Sequence, residues 1–363
     1  MPFRHTSSIR DVIKEGSVMN KANSPKIKRE SKKKIKVDFE RTGWWTRFRL
    51  RFLTGTAVTK GLTWLFRFLL LLGISYVILF PFYTKIASSF MGREDFVDVT
   101  VKLIPKRPTL DTYKAVIEEQ GYIEGLMGTA TLSLICAVLQ TLVCALIGYG
   151  FAKYKFKGSK LLFALVVFTM VVPHETLRLS MFMKFQNFDI GLGDFGILKM
   201  FGLKPIDFTK SFTPMVFLSA TGLAFKNGLF IFMMRQFFAG VPDELEESAY
   251  IDGYGPFKTF FKIIIPISIP MLITIFLFSF AWQWTDNFYV NLFNMRQNEN
   301  IFLLNDIQGI PSILKVKGYP GEALFTSAVY STEAILVMLP LVVLYLFCQK
   351  YLVQGIERSG IVG

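Results

Sequence analysis

The chain has 363 residues, of which 52% are hydrophobic and 19% are charged, and its mean hydropathy is +0.41. A soluble domain carries about 25% charged residues, and here the apolar residues gather into uncharged runs of 28 residues at 125–152 and 23 residues at 263–285. Because about 20 apolar residues cross a bilayer as a helix, the composition excludes a soluble globular protein and predicts an all-α polytopic membrane protein.

The net charge of +14 belongs mainly to the beginning of the chain. Residues 1–60 contain 16 Lys and Arg against five Asp and Glu. We interpret residues 1–60 as a basic cytoplasmic tail with an interfacial segment, WWTRFRLRF at 44–52, and residues 61–363 as the membrane domain. Contact with anionic lipid explains such a tail without a specific ligand. Specific binding of nucleic acid or of a protein partner is the alternative, and we expect no nucleic-acid partner.

Six spanning helices are predicted from the uncharged runs and their flanks. Their approximate ranges are 62–82, 125–152, 161–185, 213–238, 265–287 and 325–351. The loop KYKFKGSK at 153–160 has four Lys and no acidic residue, which predicts a cytoplasmic position under the positive-inside rule. With six spans, both termini and the loop at 242–270 are then cytoplasmic as well.

Charged residues inside the third predicted span are functional candidates, because a charge within a bilayer usually faces a bundle interior, a partner or a water-filled path. Glu175 and Arg178 are three residues apart. They can pair on one helix face, or they can line a substrate path, and the sequence does not separate these alternatives. His174 has no second ligand residue nearby, so we interpret it as a polar packing residue or a helix-end residue and not as a metal ligand.

The sequence contains no catalytic constellation. Two His residues are too few for a His-based metal cluster, and a Ser–His–Asp triad is not indicated. The dipeptide Gly-Lys does not occur, which excludes a phosphate-binding loop of the G-x-x-x-x-G-K-[ST] type. We therefore expect no enzyme activity, no metal and no directly bound cofactor, and we expect any ATP to be used by another chain.

The loop at 242–270 is an acidic helix, a glycine turn, a basic patch and an apolar run. Pro242 can open a helix, and the acidic residues that follow it lie near the positive end of the helix dipole. Gly253 permits a sharp exit, and Pro266 and Pro270 stand at the start of the next span. This pattern is typical of an amphipathic helix on the bilayer surface, or of a rigid helix that docks on a soluble partner.

The same loop resembles the EAA loop of binding-protein-dependent ABC importer permeases. The family pattern is E-A-A, three residues, G, nine residues and I-x-L-P. The residues of this chain at those positions are Glu247, Ser248, Ala249, Gly253, Ile263, Ile265 and Pro266. The spacing matches throughout, and the two departures are Ser248 in place of Ala and Ile265 in place of Leu.

The resemblance extends over about residues 62–363. The segment GYGFAKYKFKGSKLLFALVVFTMVVP at 148–173 is similar to the Y-x-F-A-R-x-x-F-x-G loop of these permeases and the helix after it. The segment GLFIFMMRQFFAGVPDELEESAYIDG at 228–253 resembles the approach to the EAA loop in the second permease subunit of maltose-type carbohydrate importers. QKYLVQGIERSGIVG at 349–363 resembles the C-terminal tail of that subunit.

The resemblance implies the six-helix architecture of a type I ABC importer in a bacterial inner membrane. It also implies a second, dissimilar permease, an ABC ATPase dimer that uses ATP and Mg, an extracellular or periplasmic solute-binding protein, and a carbohydrate substrate, expected to be an oligosaccharide. The residues that it assigns to ATPase coupling are Glu246, Glu247, Ser248, Ala249, Asp252, Gly253, Ile263 and Pro266. Among them, Glu247 is the expected charged contact, Ala249 the close-packing residue and Gly253 the turn.

Substrate contacts are not carried over from the resemblance. The candidates are Trp282, Trp284, Asp286 and Asn287 near the end of the fifth predicted span, together with Glu175 and Arg178. Indole rings stack on sugar rings and carboxylates accept hydroxyl hydrogen bonds, although paired Trp near a helix end is also typical of an interfacial belt. Two alternative functions stay open: a permease for glycerol phosphate-type solutes, and a membrane-anchored scaffold that uses the basic tail.

Overall fold

The structure, a computed structural model, describes residues 55–189, 196–307, 309–315 and 317–358, without the side chains of 55–58 and 356–358. Most of the predicted basic tail, with its segment at 44–52, and residues 359–363 lie outside this part of the chain. The helices of the described residues are α1 (Gly55–Ser89), α2 (Asp111–Glu119), α3 (Tyr122–Lys153), α4 (Ser159–Val171), α5 (Arg178–Gln186), α6 (Ile197–Met200), α7 (Thr213–Thr221), α8 (Asn227–Ala239), α9 (Glu244–Ile251), α10 (Pro256–Thr259), α11 (Ile265–Ile267), α12 (Ile269–Trp284), α13 (Phe288–Leu292) and α14 (Glu322–Arg358).

Shorter helical turns connect these elements. A π-helical turn, Phe260–Ile264, joins α10 to α11. The 3-10 turns are Arg93–Phe96, His174–Leu177, Met295–Gln297, Leu304–Asp306 and Ser312–Leu314.

The chain divides into two compact units, residues 1–75 and residues 76–363. The described part of the first unit is the beginning of α1, whose apolar side chains are exposed, as at Leu62 and Trp64. An apolar helix that is exposed in this way needs lipid or a protein partner around it. The second unit contains the remaining helices and all of the site residues described below.

Helix α3 lies at the centre of the second unit, because α7, α8 and α12 all pack against it. One buried cluster joins Tyr149 of α3 to Phe230 and Met234 of α8 and to Met271 of α12. Gly148 permits the close approach of α3 to α8, since a Cβ at this position would lie 2.6 Å from the Cβ of Met234. Small residues have this role at helix interfaces within membranes.

Among the described residues, three helices are long and apolar enough to cross a membrane, or five if each of two bent pairs counts as one span. The three are Thr59–Ser89, Tyr122–Lys153 and Glu322–Gly355. The bent pairs are Ser159–Val171 with His174–Gln186, at 96°, and Pro256–Ile267 with Ile269–Trp284, at 80°. The predicted all-α polytopic class is confirmed, whereas the third, fourth and fifth predicted spans are not single straight helices.

The fourth predicted span, 213–238, is divided into α7 and α8. Gly222 and Lys226 have positive φ angles of +77° and +70°, a conformation in which an α-helix does not continue. The N–H groups of Leu223 and Ala224 both donate to the carbonyl of Leu218, which closes α7. Hydropathy marks this apolar stretch but does not report where its backbone changes direction.

At the Tyr122 end of α3, the segment at 309–315 is held against α2. The backbone N–H and the hydroxyl of Ser312 donate to Glu119, both at 2.6 Å, and these hydrogen bonds lower the pKa of the Glu119 carboxyl. The guanidinium of Arg93 donates to the Ile313 carbonyl at 2.9 Å. The segment is therefore anchored on two sides, although its contacts are exposed to solvent.

Candidate functional site

The loop at 242–270 is an ordered element at the Lys153 end of α3. It forms α9, a glycine turn, α10, the π-helical turn and α11, and then enters α12 through the bend of 80°. The side chains of α9 that carry the predicted coupling residues divide between two faces. Because a helix repeats every 3.6 residues, Glu246 and Ala249 share one face, and Glu247 and Ile251 share the other.

The face of α9 with Glu246 and Ala249 points into the protein. Glu246 is 8% exposed and Ala249 is 1% exposed, whereas Ile251 is 86% exposed and Glu247 and Ser248 are also exposed. The two neighbouring acidic residues that were predicted together as coupling residues therefore have different surroundings. Of these two carboxylates, only that of Glu247 can contact another protein without a rearrangement of α9.

Lys153, the last residue of α3, connects that helix to the start of α9. Its side chain is 7% exposed, and its ammonium donates to the Val241 carbonyl at 2.6 Å and to the Asp243 carboxylate at 2.5 Å. The Glu246 carboxylate is 3.5 Å from the same ammonium. The hydrogen bond from Lys153 lowers the pKa of Asp243, and the positive charge adds to this effect, so Asp243 is ionised at neutral pH.

Gly253 ends α9 in a geometry that other residues adopt only with strain. Its φ is +79°, its N–H donates to the Tyr250 carbonyl at 3.0 Å, and the N–H of Tyr254 donates to the Ala249 carbonyl at 2.9 Å. This pair of bonds is a Schellman motif, which satisfies carbonyls at a helix C-terminus and requires a left-handed residue. Asp252, just before the glycine, is exposed.

The residues that follow the turn lead into the membrane-spanning part of the chain. Ile263 is half-buried and Pro266 is exposed. Between them, Ile264 is fully buried in the cluster that contains Tyr149 and Met271. Thus the loop is packed onto both α3 and α12, and α9 is not an isolated surface helix.

The predicted substrate-path residues near the end of α12 are in unlike environments. Trp282 is 37% exposed and its ring stacks on Phe230 at 5.6 Å between ring centroids. Trp284 is 2% exposed and its indole N–H donates to the Val337 carbonyl at 3.0 Å. Its ring is therefore part of the packing between α12 and α14, with little surface left for a ligand.

Asp286 and Asn287 lie beyond the end of α12, not within a fifth span as predicted. The Asp286 carboxylate accepts the backbone N–H groups of Phe288 and Tyr289, at 3.1 and 3.2 Å, and so it caps the start of α13. Asn287 is exposed. Asp286 and Trp282 line a common small cavity in the core of the bundle.

Glu175 and Arg178 do not form the ion pair that their spacing allows: the described residues show no contact of 4 Å or less between their charged atoms. The reason is local, because the chain turns through a 3-10 helix at His174–Leu177 before α5 begins at Arg178. Both side chains instead line an open pocket of ≈ 410 Å³ with Asn291 and Asn294. The structure thus brings them to the segment after α12, where the other candidates lie.

His174 contacts aromatic rings, with its ring centroid 3.7 Å from that of Phe225, as a packing residue does.

Sequence reasoning missed a polar network at the centre of the bundle. The Gln140 amide donates to the Ser219 hydroxyl at 3.2 Å and accepts from the Ser279 hydroxyl at 2.8 Å, which joins α3, α7 and α12. All three side chains are at most 4% exposed. A signal was present, since Gln140 is the one amide side chain in the uncharged run at 125–152, and polar residues within spans usually face a bundle interior.

Comparison with known proteins decides the family. The model of the family described as binding-protein-dependent transport system inner membrane component matches residues 142–358, more than half of the chain. The chain belongs to this family. The match begins within α3 and includes α9 and α12, so the loop at 242–270 and the predicted path residues lie inside it. The predicted permease family is confirmed, and the position as a second subunit stays a prediction.

Two relatives of this chain are named after the transport systems to which they belong. The alpha-glucoside transport system permease protein AglG of Rhizobium meliloti (strain 1021) is 31% identical, over 71% of this chain and 62% of the relative. The arabinooligosaccharides transport system permease protein AraQ of Bacillus subtilis (strain 168) is 26% identical, over 80% of this chain and 92% of the relative. The chain therefore aligns with less than two thirds of AglG but with most of AraQ.

A solved structure has the same fold as this inner membrane component. It is a chain of a bacterial ABC transporter involved in the import of the acidic polysaccharide alginate. The TM-score is 0.59, the identity is 17%, and the match covers 82% of this chain and 98% of that one. At this identity the similarity establishes the fold alone.

Proposed function

We propose that this chain is the transmembrane permease subunit of an ATP-driven carbohydrate importer, with oligosaccharides as the substrate class. The relatives AglG and AraQ, which belong by name to alpha-glucoside and arabinooligosaccharide transport systems, support the substrate class. The observation that carries the mechanism is the folded loop at 242–270. Helix α9 has an exposed acidic face and is bonded to Lys153 of α3. It is connected to α12 through α10, the π-helical turn and α11.

The exposed face of α9 is the proposed docking surface for an ABC ATPase. Glu247 supplies the charged contact, and the neighbouring exposed apolar side chains of Ile251 and Phe257, at 86% and 74% exposure, supply apolar area. Charged residues at the rim of such a surface favour the correct partner and exclude wrong ones. ATP and Mg are used in the ATPase, and this chain holds neither.

Movement of the docked helix is proposed to reach the bundle through α12. The π-helical turn and α11 join α9 to α12, and Ile264 and Met271, both fully buried, fix the bend between them. Packed elements of this kind move as units between discrete arrangements rather than deforming gradually. Closure of the ATPase dimer would thereby shift the permease between inward-open and outward-open states.

The substrate path is proposed to run past Trp282, Asp286 and Asn287 and past the pocket of Glu175 and Arg178. The ring of Trp282 can stack on a sugar face, and the acidic and amide side chains can bind hydroxyl groups. A second, dissimilar permease is proposed to complete this path. A solute-binding protein outside the bacterial inner membrane is proposed to deliver the carbohydrate, and both termini of this chain are proposed to be cytoplasmic.

Substitution Glu247→Lys tests the coupling assignment. In the native host, we expect uptake of radiolabelled maltotriose or arabinotriose to fall by about tenfold or more, because a like charge placed in a charge-complementary interface costs several kcal/mol. The matched control is Glu299→Lys, an equal change of charge at an exposed residue far along the chain from the loop. Uptake at the normal rate in the Glu247→Lys cells would show that this face does not couple ATP hydrolysis to transport.

The two alternative functions give different outcomes in the same cells. A scaffold that uses its basic tail would lose function when residues 1–43 are deleted and would tolerate Glu247→Lys. A permease for glycerol phosphate-type solutes would show uptake of glycerol 3-phosphate in preference to the oligosaccharides. A path with excess positive charge would favour that solute, but the path candidates Arg178 and Glu175 balance each other in charge.

A further inference from the structure

Lys153 is a buried cation at the junction between α3 and α9, and the route of movement proposed above does not include α3. It ends α3, which is the central helix of the bundle, and its ammonium contacts three oxygen-bearing groups around the start of α9. Two of these groups, the Val241 carbonyl and the Asp243 carboxylate, come before the helix, and the third, the Glu246 carboxylate, is in its first turn. One side chain therefore fixes both the position and the rotation of α9.

We propose that Lys153 is a positioning residue that locks the coupling helix to α3, so that motion of α9 is delivered to α3 as well as to α12. This inference rests on the proposed function, because it assumes that α9 receives the force from the ATPase. It changes the mechanism in one respect. In the proposed mechanism α12 alone carries the movement of α9 into the bundle, and with this contact α3 must follow α9 as well.

The surroundings of Glu246 show why the lysine matters for orientation. Glu246 is 8% exposed, and its Oε1 atom is buried without a hydrogen-bond partner in the described part of the chain. The ammonium of Lys153 at 3.5 Å is the positive charge that compensates it. Removing one member of a buried ion pair leaves the other uncompensated and is strongly destabilising. Without Lys153, α9 would lower its energy by rotating Glu246 toward solvent.

That rotation would move the docking face. On a helix, side chains at 246 and 247 are about 100° apart around the axis, so turning Glu246 outward carries Glu247 away from its position. Only removal of the Lys153 ammonium should displace the docking face in this way, since the next lysines of the same loop, Lys155 and Lys157, are exposed. Lys157 therefore provides a control of equal charge in the same segment.

Hydrogen–deuterium exchange of the full-length chain in lipid nanodiscs tests the lock without any partner protein. In Lys153→Met, we expect the amides of residues 244–251 to exchange about tenfold faster or more, the factor that corresponds to losing part of a buried pair. Lys153→Arg keeps the charge and should restore most of the protection, and Lys157→Met should leave it unchanged. Equal protection of this helix in Lys153→Met and in the unchanged protein would overturn the proposal.

The double variant Lys153→Met/Glu246→Gln covers the case in which Lys153→Met does not insert into the membrane. It removes both buried charges, so it should insert, and α9 should still exchange faster than in the unchanged protein because a methionine at position 153 cannot donate to the Val241 carbonyl or to the Asp243 carboxylate. Protection equal to that of the unchanged protein would mean that apolar packing alone positions α9, which would also overturn the proposal.

Uptake of the same labelled oligosaccharides by the native host separates this inference from the proposed function. We expect Lys153→Met to reduce uptake by about tenfold at normal amounts of the protein in the membrane, and Lys153→Arg to recover it. Normal uptake in Lys153→Met together with lost uptake in Glu247→Lys would reject the lock and retain the coupling face. Normal uptake in Glu247→Lys would instead reject the coupling face, whatever the exchange experiment shows.

Discussion

Two sharp bends in the second unit have similar angles but different structural support. Between α4 and α5 the chain turns by 96° at Val172 and Pro173, and between α11 and α12 it turns by 80° at Ser268. The first bend has no buried residue in α4 or in the 3-10 turn that follows. The second is enclosed, with Ile264, Ser268 and Met271 all at 0% exposure.

The second bend is also hydrogen-bonded within itself. The hydroxyl of Ser268 donates to the Ile264 carbonyl at 2.6 Å, and its backbone N–H donates to the Ile264 and Ile265 carbonyls at 3.1 and 3.0 Å. A bend that satisfies its own backbone groups is tolerated at membrane depth. Two bends of similar angle can therefore have different roles, depending on whether buried side chains enclose them. The enclosed bend can transmit movement, whereas the open bend can change its angle where the predicted path residues lie.

The largest expected effect is at the core of the enclosed bend. Ile264→Ala should lower the free energy of unfolding in detergent by about 2–5 kcal/mol, because a buried isoleucine leaves a cavity when it is truncated. The control near the open bend is Leu179→Ala, which removes a side chain that is 70% exposed and should change the stability by about 0.5 kcal/mol or less. Denaturant titration measures both, and equal values would remove the distinction between the bends.

The second prediction concerns the helix against which the enclosed bend packs. In Gly148→Ala, the added Cβ would lie 2.6 Å from the Cβ of Met234 and 3.0 Å from the backbone N of Arg235, so α3 and α8 must separate. Overpacking of this kind costs about 1–3 kcal/mol. Gly150→Ala, two residues along the same helix, meets no heavy atom within 4 Å and should gain about 0.5–1 kcal/mol of helix propensity. Opposite signs in thermal unfolding are the expected result, and a shared sign would contradict the packing of α3 on α8.

Several features of this fold follow directly from the sequence because they depend on local properties. The apolar runs, the polar loop at 242–270 and the glycine turn at Gly253 were all predictable from hydropathy, charge and backbone preference. The breaks at Gly222 and Lys226 were not, because one apolar stretch can form one helix or two with nearly the same composition. The bend at Ser268 depends on side chains from α3 and α8 that enclose it.

The inward position of Glu246 was also beyond the sequence pattern. Glu246 and Glu247 are adjacent and chemically identical, and both are predicted from the sequence as coupling residues. What separates them is Lys153, which pairs with the start of α9 across a separation of 90 residues to Asp243. A sequence shows that a lysine ends an uncharged run, but the fold alone shows which of the two carboxylates it meets.

The smallest expected change in stability comes from replacing the proline at each of the two bends. Pro173 has φ at −66° and ψ at 129°, and Val172 before it is extended, with ψ at 118°. Proline disfavours the helical conformation in the residue before it, so Pro173→Ala releases Val172 to join α4 to α5. Since α4 and the 3-10 turn contain no buried residue, spin labels at the exposed positions 165 and 183 should move apart in double electron–electron resonance measurements.

The matched variant at the enclosed bend is Pro270→Ala, which removes a proline from the first turn of α12. Labels at 257 and 276 should keep their distance, because buried side chains and Ser268 hold the bend. The free energy of unfolding should change by about 1 kcal/mol or less. A movement at the second pair that equals the movement at the first would show that proline, and not enclosure, determines both angles.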